Sequence, residues 1–499
     1  MNSSIPNKNL QYKFISVVCL ILYLIVSHRV IAQEFKYADS KPAQAMKQFD
    51  KAYNMMNRNA LEEYTNNWYF HPDSTDVLQW LEIQSQYGQL EPKEVWTDLP
   101  NFYEVWFYSP KLRVYSAIGL KLSKENGKII ATAVARGARP ESDSPPFILE
   151  ENFLYHVQEY LEEVSRDSLF TGAVAIYKDG KPLTQFTCGY KNRVANQKNN
   201  IDTRMNTASV TKSITATAIG ILVDQGKISF TDKISKYLPE YPKVISDVCT
   251  IGHLLSHTSG IELDFDTAYK LKWQMAKNHE DILKNQLNYV DELIDSTGKF
   301  NLSGKYDYSN EGFDLAGIII ERASGIPYLD FIQKYIFKPI DINLTNKQLS
   351  GQTEDVAIGY THYKNINSEF SPTKIYENNE YLFATPHASA SLFLTADEIN
   401  TFVEAFARGY LVSDSVKIEL TTPHSLLQDK TKYGYGFELV YPHEDSNEYS
   451  YFGHIGGVRG GSAMFGYWLN SKYCLVVLSN ERFRALPIAD YLSQLINRF

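Results

Sequence analysis

The chain carries two successive hydrophobic patterns that predict two domains. Between residues 40 and 87, apolar positions recur three and four apart, which predicts three helices. The runs 103–108, 113–122 and 128–135 are rich in aromatic and β-branched residues and predict strands. Asn126-Gly127 separates the last two runs and predicts a tight hairpin. Helices followed by a meander of strands predict a small α+β domain over residues 33–138.

A stretch without periodicity, GARPESDSPP at residues 137–146, predicts a domain boundary with a linker at residues 139–146. Beyond it the pattern predicts a helix over 148–165 and then strands at 172–177 and 182–188. A mostly helical block follows over 229–406, and strand patterns return at 433–440, 448–453, 460–469 and 473–479 before a last helix at 485–496. Residues 147–499 are therefore predicted to form one domain, in which an antiparallel sheet takes strands from both ends of the segment.

One segment, TASVTKSITATAIGILVDQG at residues 207–226, is apolar on nearly every side and predicts a buried helix. Thr207 is positioned to cap its start, and Gly226 to end it in a left-handed conformation. Ser209 and Lys212 are three residues apart and share one face. A buried lysine loses its charge readily and can then take the proton of a serine hydroxyl, so this pair is a candidate base and nucleophile.

The Ser-x-x-Lys pattern is not specific by itself, because it also occurs at Ser296 and Ser371. Those two matches lie in polar segments and contain Gly or Pro, so only Ser209 opens a buried helix. Further along, Tyr308-Ser309-Asn310 occupies a loop that leads into a predicted helix. His454-Ile455-Gly456 is the only His-x-Gly in the sequence and falls at a predicted strand end.

These three motifs, in this order, resemble those of the penicillin-recognising serine hydrolases, and the nearest branch is the class C β-lactamase-like family with its carboxypeptidases and esterases. The stretches HLLSHTSGI, YGYGF and GHIGGVRGG add to the resemblance, which covers residues 147–499. It implies an α+β (α/β sandwich) fold: a β-lactamase-like antiparallel sheet flanked by helices, with an inserted helical block. It also implies hydrolysis of a small-molecule or peptide ester or amide through an acyl-enzyme, with no cofactor. Residues 33–138 weakly resemble the cystatin-like or NTF2-like domains that precede some secreted hydrolases.

The resemblance also implies a role for each motif residue. Ser209 is the nucleophile that forms the acyl-enzyme. Lys212 and Tyr308 handle its proton, and either the amine or the phenolate serves as the base. Asn310 orients the substrate amide or the lysine, and the backbone N–H groups of Ser209 and Gly457 form the oxyanion hole.

Two departures from the family pattern concern the substrate. His454 and Ile455 occupy positions where β-lactamases often carry Lys and Thr. A histidine is only partly charged at neutral pH, and isoleucine cannot donate a hydrogen bond. We therefore expect His454 to contact the substrate, weak recognition of carboxylate-bearing β-lactams, and better turnover of esters or amides without a carboxylate. Residues 390–393, ASLF, replace a Gly-Gly common among relatives, which leaves the shape of that loop open.

The remaining signals concern location and partners. Lys8 and Lys13 precede an apolar run at 14–26 and small residues at 30–32, which is a secretory signal layout over residues 1–32. We expect export to the periplasm or the extracellular space and no stable membrane span after cleavage, with an uncleaved anchor as the alternative. The net charge of −9 without basic runs argues against nucleic-acid binding.

Two other interpretations of the sequence are a metal site and a non-catalytic protein. His253 and His257 are four residues apart, but the segment lacks the glutamate of a His-Glu-x-x-His motif and ends at Gly260, so no metal site is predicted. A non-catalytic sensor or interaction protein on the same scaffold is the alternative to an enzyme. The sequence leaves the oligomeric state open.

Overall fold

The structure is a computed structural model that describes residues 35–70, 72, 74–136, 149–263, 275–362, 371, 374–377, 386–428, 431–442 and 446–498. The predicted signal segment 1–32 and linker 139–146 lie outside the described residues. In the described part of the chain, no helix is long and apolar enough to cross a membrane.

The first unit, residues 41–136, packs three helices against a four-stranded antiparallel sheet in the order β1-β2-β3-β4. Its elements are α1 (Lys41–Asn54), α2 (Arg58–Trp68), α3 (Ser74–Tyr87), β1 (Glu91–Leu99), β2 (Phe102–Ser109), β3 (Val114–Leu122) and β4 (Ile129–Arg136). Ser40 caps α1 by accepting the Ala43 N–H, and Asn57 caps α2 by accepting the Ala60 N–H. Strand β1 was not predicted from the sequence.

The second unit begins with α4 and the hairpin β5–β6, and then enters a largely helical block. Its elements up to residue 361 are α4 (Glu150–Arg166), β5 (Gly172–Lys178), β6 (Lys181–Cys188), β7 (Tyr190–Asn192), β8 (Gln197–Lys198), β9 (Met205–Asn206), α5 (Thr211–Asp224), α6 (Lys243–Ser246), α7 (Ile251–Leu255), α8 (His279–Leu287), α9 (Asn310–Ser324), α10 (Tyr328–Ile332), α11 (Asn346–Leu349) and β10 (Tyr360–Thr361). A wider helical turn, Gln333–Phe337, continues α10.

The chain then returns to the sheet. The remaining elements are β11 (Tyr376–Glu377), β12 (Phe393–Leu394), α12 (Ala396–Ala407), α13 (Asp414–Leu420), β13 (Ser425–Gln428), β14 (Thr431–Tyr433), β15 (Glu438–Val440), β16 (Tyr451–Val458), β17 (Gly461–Trp468), β18 (Tyr473–Ser479) and α14 (Ala485–Ile496). The main sheet has eight strands in the order β13-β14-β15-β16-β17-β18-β5-β6, and every neighbouring pair is antiparallel. The predicted α+β fold, with an antiparallel sheet fed from both ends of the segment, is confirmed.

Two apolar clusters cover the two faces of this sheet. Alternate residues of a strand point to opposite faces, so Ala175 and Tyr177 of β5 join one cluster with α5 and α9, whereas Val174 and Ile176 join the other. The second cluster also contains α4, α14 and side chains of the first unit. The first unit therefore packs directly on the outer face of the main sheet.

Candidate active site

Ser209 lies in a short turn that delivers it to the start of α5. The turn is a 3-10 helix, Ala208–Val210, and the α-helix begins only at Thr211. The expectation of one continuous helix capped by Thr207 is therefore wrong. The Thr207 hydroxyl instead donates to the carbonyl of Leu392, 2.9 Å away.

Ala208, directly before the nucleophile, has a φ of 47°. A left-handed conformation is strained for a residue with a Cβ atom and recurs at functional sites. The other end of the segment follows the prediction, because Gly226 has a φ of 66° just beyond α5.

Lys212 is held by three acceptors in a fully buried position. Its Nζ lies 3.3 Å from Ser209 Oγ, 2.7 Å from Asn310 Oδ1 and 2.7 Å from the carbonyl oxygen of Ser389. Burial lowers the pKa of Lys212 from its ordinary value to about 7, against the opposing influence of the buried carboxyls of Asp314 and Glu311. The amine therefore exchanges its proton near neutral pH, as a general base requires.

Tyr308 completes the contacts to the nucleophile. Its hydroxyl donates to Ser209 Oγ over 2.8 Å, and Lys212 Nζ lies 4.8 Å from the centre of its ring. Desolvation raises the pKa of Tyr308, and the bond to Ser209 lowers it less. At a pH where the Lys212 amine has lost its proton, the Tyr308 phenol therefore still carries its own. Of the two bases that the sequence left open, the pKa values favour Lys212.

The loop carrying Tyr308 is fixed by the start of α9. Ser309 caps that helix by accepting the Gly312 N–H, 2.8 Å away, and its own N–H donates to His257 Nδ1 over 3.0 Å. The His257 ring lies 4.3 Å from the Tyr308 ring between their centres. The sequence predicts no metal site at His257, but it gives no sign that this ring packs against Tyr308. Among the described residues, no cluster of three or more potential ligands could hold a metal ion.

His454 lies within β16 rather than at a strand end, since the strand continues to Val458. Its imidazole is buried; Nε2 lies 2.8 Å from the hydroxyl of Tyr433, and Nδ1 lies 2.6 Å from the carbonyl oxygen of Ile455. Burial, together with the nearby Lys212 charge, lowers the pKa of His454 to about 3. The imidazole is therefore neutral at pH 7, whereas the sequence alone predicts a partly charged histidine.

The close approach of β16 to the nucleophile turn depends on Gly456. A Cβ atom placed there would lie 2.7 Å from the backbone nitrogen of Ser209. Strand β15 pairs with β16 only as far as Gly453. The rest of β16 is therefore not covered by β15 on that edge, and at Gly456 it lies against the turn that carries Ser209. The next residue, Gly457, is exposed. The structure thus brings the two predicted oxyanion donors to one edge of the site.

Accessibility divides the site residues into two groups. Ser209, Tyr308 and Asn310 are partly exposed, whereas Lys212 and His454 are buried. A molecule from solvent can therefore reach the Ser209 hydroxyl while the Lys212 amine stays away from water. The structure brings all six predicted site residues into connected elements: α5 with its preceding turn, the start of α9, and β16.

One contact and one backbone conformation near the site had no usable sequence signal. The carbonyl of Ser389 holds Lys212, but a backbone oxygen leaves no mark on residue type. Ser391, which follows the buried Ala390, has a φ of 77°. This serine stands in the ASLF segment, and it has the left-handed backbone that glycine would favour.

Comparison with known proteins identifies relatives of the second unit. The model of the family described as Beta-lactamase matches residues 156–496. Penicillin-binding protein 4* of Bacillus subtilis (strain 168) is 28% identical over 341 residues, which is 67% of this chain and 73% of that protein.

Two solved structures share the fold at lower identity. A penicillin binding protein from Bacillus halodurans has a TM-score of 0.57 at 24% identity and covers 67% of this chain and 99% of its own. The D-amino acid amidase from Ochrobactrum anthropi SV3, complexed with L-phenylalanine amide, has a TM-score of 0.56 at 21% identity and covers 69% of this chain and 99% of its own. The family match spans more than half of the chain and includes all three motifs, so this chain belongs to the beta-lactamase family of serine hydrolases.

Proposed function

We propose that this protein is an exported serine hydrolase that cleaves esters or amides without a carboxylate next to the scissile bond, through an acyl-enzyme on Ser209. One observation carries the proposal: Ser209 Oγ is contacted both by a lysine whose pKa is about 7 and by the Tyr308 hydroxyl. A serine hydroxyl needs such a base before it can attack a carbonyl. Export is supported by the secretory layout of residues 1–32.

The chemistry follows from these contacts. Neutral Lys212 accepts the Ser209 proton as Oγ attacks the carbonyl carbon, and the N–H groups of Ser209 and Gly457 receive the negative oxygen. Lysine then returns the proton to the leaving alcohol or amine, with the Tyr308 hydroxyl beside Ser209 Oγ as a second carrier. Water, deprotonated by the same amine, hydrolyses the acyl-enzyme and regenerates the free serine.

The substrate preference rests on the neutral His454. A carboxylate beside the scissile bond would find no charge on this imidazole at pH 7, because its pKa lies near 3. The Nε2 atom is already paired with the Tyr433 hydroxyl. Substrates that carry no carboxylate lose nothing from this arrangement. The amidase that shares the fold, solved with L-phenylalanine amide, is consistent with an amide that lacks a carboxylate as one substrate class.

A matched pair of proteins tests the proposal. Wild type and Ser209→Ala are treated with a fluorescent serine-reactive phosphonate and assayed with p-nitrophenyl esters and with nitrocefin, a β-lactam carrying a carboxylate. We expect labelling and ester turnover in wild type only, and slow nitrocefin hydrolysis. Absence of labelling and turnover in wild type would favour the non-catalytic sensor. Nitrocefin turnover faster than ester turnover would overturn the proposed substrate class.

A further inference from the structure

The turn between β18 and α14 places an aromatic ring beside a predicted oxyanion donor. A Cβ atom on Gly457 would lie 3.2 Å from Cε1 of Phe483 and 3.5 Å from its Cδ1. Ile455 is two residues from Gly457 along β16, so both face the same side of the strand. Ile455 and Phe483 are partly exposed, and Gly457 between them is exposed. Together they form an apolar surface beside Gly457, on the face of β16 that carries the outer apolar cluster.

Hydrogen bonds hold the turn that carries Phe483 to strand β17, the neighbour of β16 in the sheet. Ser462 Oγ donates to the Glu481 carbonyl oxygen over 2.9 Å and accepts the Ala485 N–H at the same distance. Ser462 is the residue paired with Gly457 in the sheet. The two ends of the turn are therefore fixed to the sheet position directly opposite Gly457.

Within this turn, Phe483 has a φ of 59°. A left-handed conformation is strained for an aromatic residue and persists only when its surroundings impose it. The guanidinium of Arg482 covers the ring, with 4.3 Å between its Cζ and the ring centre. The ring is thus held between a cation and the glycine of β16.

The outer side of the same turn contacts helix α3 of the first unit. Glu82 Oε2 lies 3.6 Å from Arg482 Nη1, and Gln86 Nε2 lies 3.5 Å from the Arg482 carbonyl oxygen. Ser85, between them in sequence, lies on the same side, because its carbonyl oxygen is 3.5 Å from Arg484 Nη1. Positions 82, 85 and 86 share one face of a helix. Each contact is long and weak alone, but Glu82, Gln86 and Arg484 are buried, so one face of α3 backs the whole turn.

We propose that Phe483 is a specificity-determining residue that packs against an apolar or aromatic group of the substrate beside Gly457, and that helix α3 of the first unit positions it. The inference rests on the proposed acyl-transfer function and assigns the first unit a part in it. An apolar wall of this kind discriminates between substrates by the area they bury on it, typically by about 10- to 200-fold for small changes in an apolar group. Because the contact exists before and during the reaction, it acts mainly through KM.

The test compares kcat/KM for p-nitrophenyl phenylacetate and p-nitrophenyl acetate. Phe483→Gly removes the ring and suits the left-handed backbone, so it threatens folding less than other truncations. We expect the phenylacetate-to-acetate preference to fall at least about tenfold, mostly through a higher KM for phenylacetate, and Phe483→Tyr to restore it. An unchanged preference in Phe483→Gly would overturn the role of the ring.

The second arm tests the helix. The double variant Glu82→Gln/Gln86→Ala is expected to lower the same preference about two- to fivefold, and the exposed control Glu63→Gln on α2 to leave it unchanged. Hydrogen exchange of the amides at 456–458 and 481–484 should be faster in the double variant than in the control. This readout tests the coupling whether or not the esters are turned over.

Equal preference and equal exchange in the double variant and the control would overturn the role of α3. Phosphonate labelling of Ser209 in every variant separates these failures from a failure of the acyl-transfer function, which would abolish labelling in wild type itself.

Discussion

The pH dependence of ester hydrolysis is the most informative perturbation, because a single amine is expected to control it. Lys212 must be neutral to accept the Ser209 proton, and burial lowers the pKa of that amine from 10.5 to about 7. Deprotonation proceeds as pH rises, so activity is absent well below pH 7, increases through it and levels off above it. The sign is opposite to that expected if a charged lysine were required.

The size of the effect follows from this pKa. About one amine in eleven is neutral at pH 6 and about ten in eleven at pH 8, so kcat/KM should rise about tenfold between these values. An ordinary lysine would be neutral in only about three molecules per ten thousand at pH 7. Burial therefore raises the neutral fraction by about three powers of ten.

Other buried groups face the same amine and modify its titration. The carboxyls of Asp314 and Glu311 raise the pKa of Lys212, and His257 and His454 lie close enough to interact with its charge. Burial raises the pKa of Glu311 to about 8. Glu311 therefore ionises over the same range and draws the lysine proton back, which should make the rise in rate shallower than that of an isolated group.

The assay is the initial rate of p-nitrophenyl acetate hydrolysis at low substrate concentration between pH 5.5 and 9, corrected for the ionisation of p-nitrophenol. Lys212→Arg is the matched control, because a guanidinium keeps its charge throughout this range. We expect this variant to lose at least about a hundredfold in kcat/KM and to show no rise near pH 7. A wild-type rise centred near pH 10, or a rise near pH 7 that survives in Lys212→Arg, would refute the assignment.

Three further substitutions test the surroundings of the amine. Tyr308→Phe removes the hydroxyl 2.8 Å from Ser209 Oγ and should lower kcat/KM about 10²- to 10³-fold, with little change in the calorimetric melting temperature; an unchanged rate would remove the tyrosine from the mechanism. Gly456→Ala places a methyl group 2.7 Å from the Ser209 nitrogen and should lower both the rate and the free energy of unfolding, the latter by about 1–3 kcal/mol in urea denaturation. A fully stable and active alanine variant would contradict the close approach. Glu311→Gln removes an acid that raises the pKa of Lys212, so the rise in the pH–rate profile should move to lower pH, and a shift to higher pH would contradict the electrostatic argument.

The elements predicted most accurately have strong local signals. The last helix was predicted at 485–496 and lies there, because its apolar positions recur at the helical period. The predicted strands 172–177 and 182–188 also pair, and the two residues of the turn between them, Asp179 and Gly180, both have positive φ. The turn residues and the strand pattern on either side predict the same hairpin, so few other strand pairings compete with it.

The misplaced elements depend on contacts beyond their own sequence. Strand β1 escaped prediction because it is an edge strand with two bulges and mostly exposed side chains, so it shows no alternation. The predicted strand 433–440 is two strands, separated by a turn in which Gly436 has a φ of 76°. This turn lets Gly436 lie against α5, where a Cβ atom would be 2.8 Å from the Lys212 carbonyl oxygen.

In the candidate site, too, some features could be predicted from the sequence and others depend on the fold. Residue type, spacing and a buried setting singled out Ser209 and Lys212, because the chemistry demands those side chains, and the family resemblance added Tyr308. The hydrogen bond from Tyr433 to His454 joins side chains 21 residues apart in sequence. It depends on how β14 and β16 lie in the sheet. The burial that keeps this histidine uncharged likewise comes from the packing of the folded chain. The reaction type was therefore readable from the motifs, whereas the substrate argument required the fold.

The central claim is that Ser209 becomes acylated, and mass spectrometry tests it most directly. The protein is mixed with a p-nitrophenyl ester, quenched in acid within milliseconds to seconds, digested and analysed. We predict an acyl adduct on the peptide containing Ser209 that forms with the burst of p-nitrophenol and decays with turnover. Ester turnover with the adduct on another residue, or with no adduct at any time, would contradict the account.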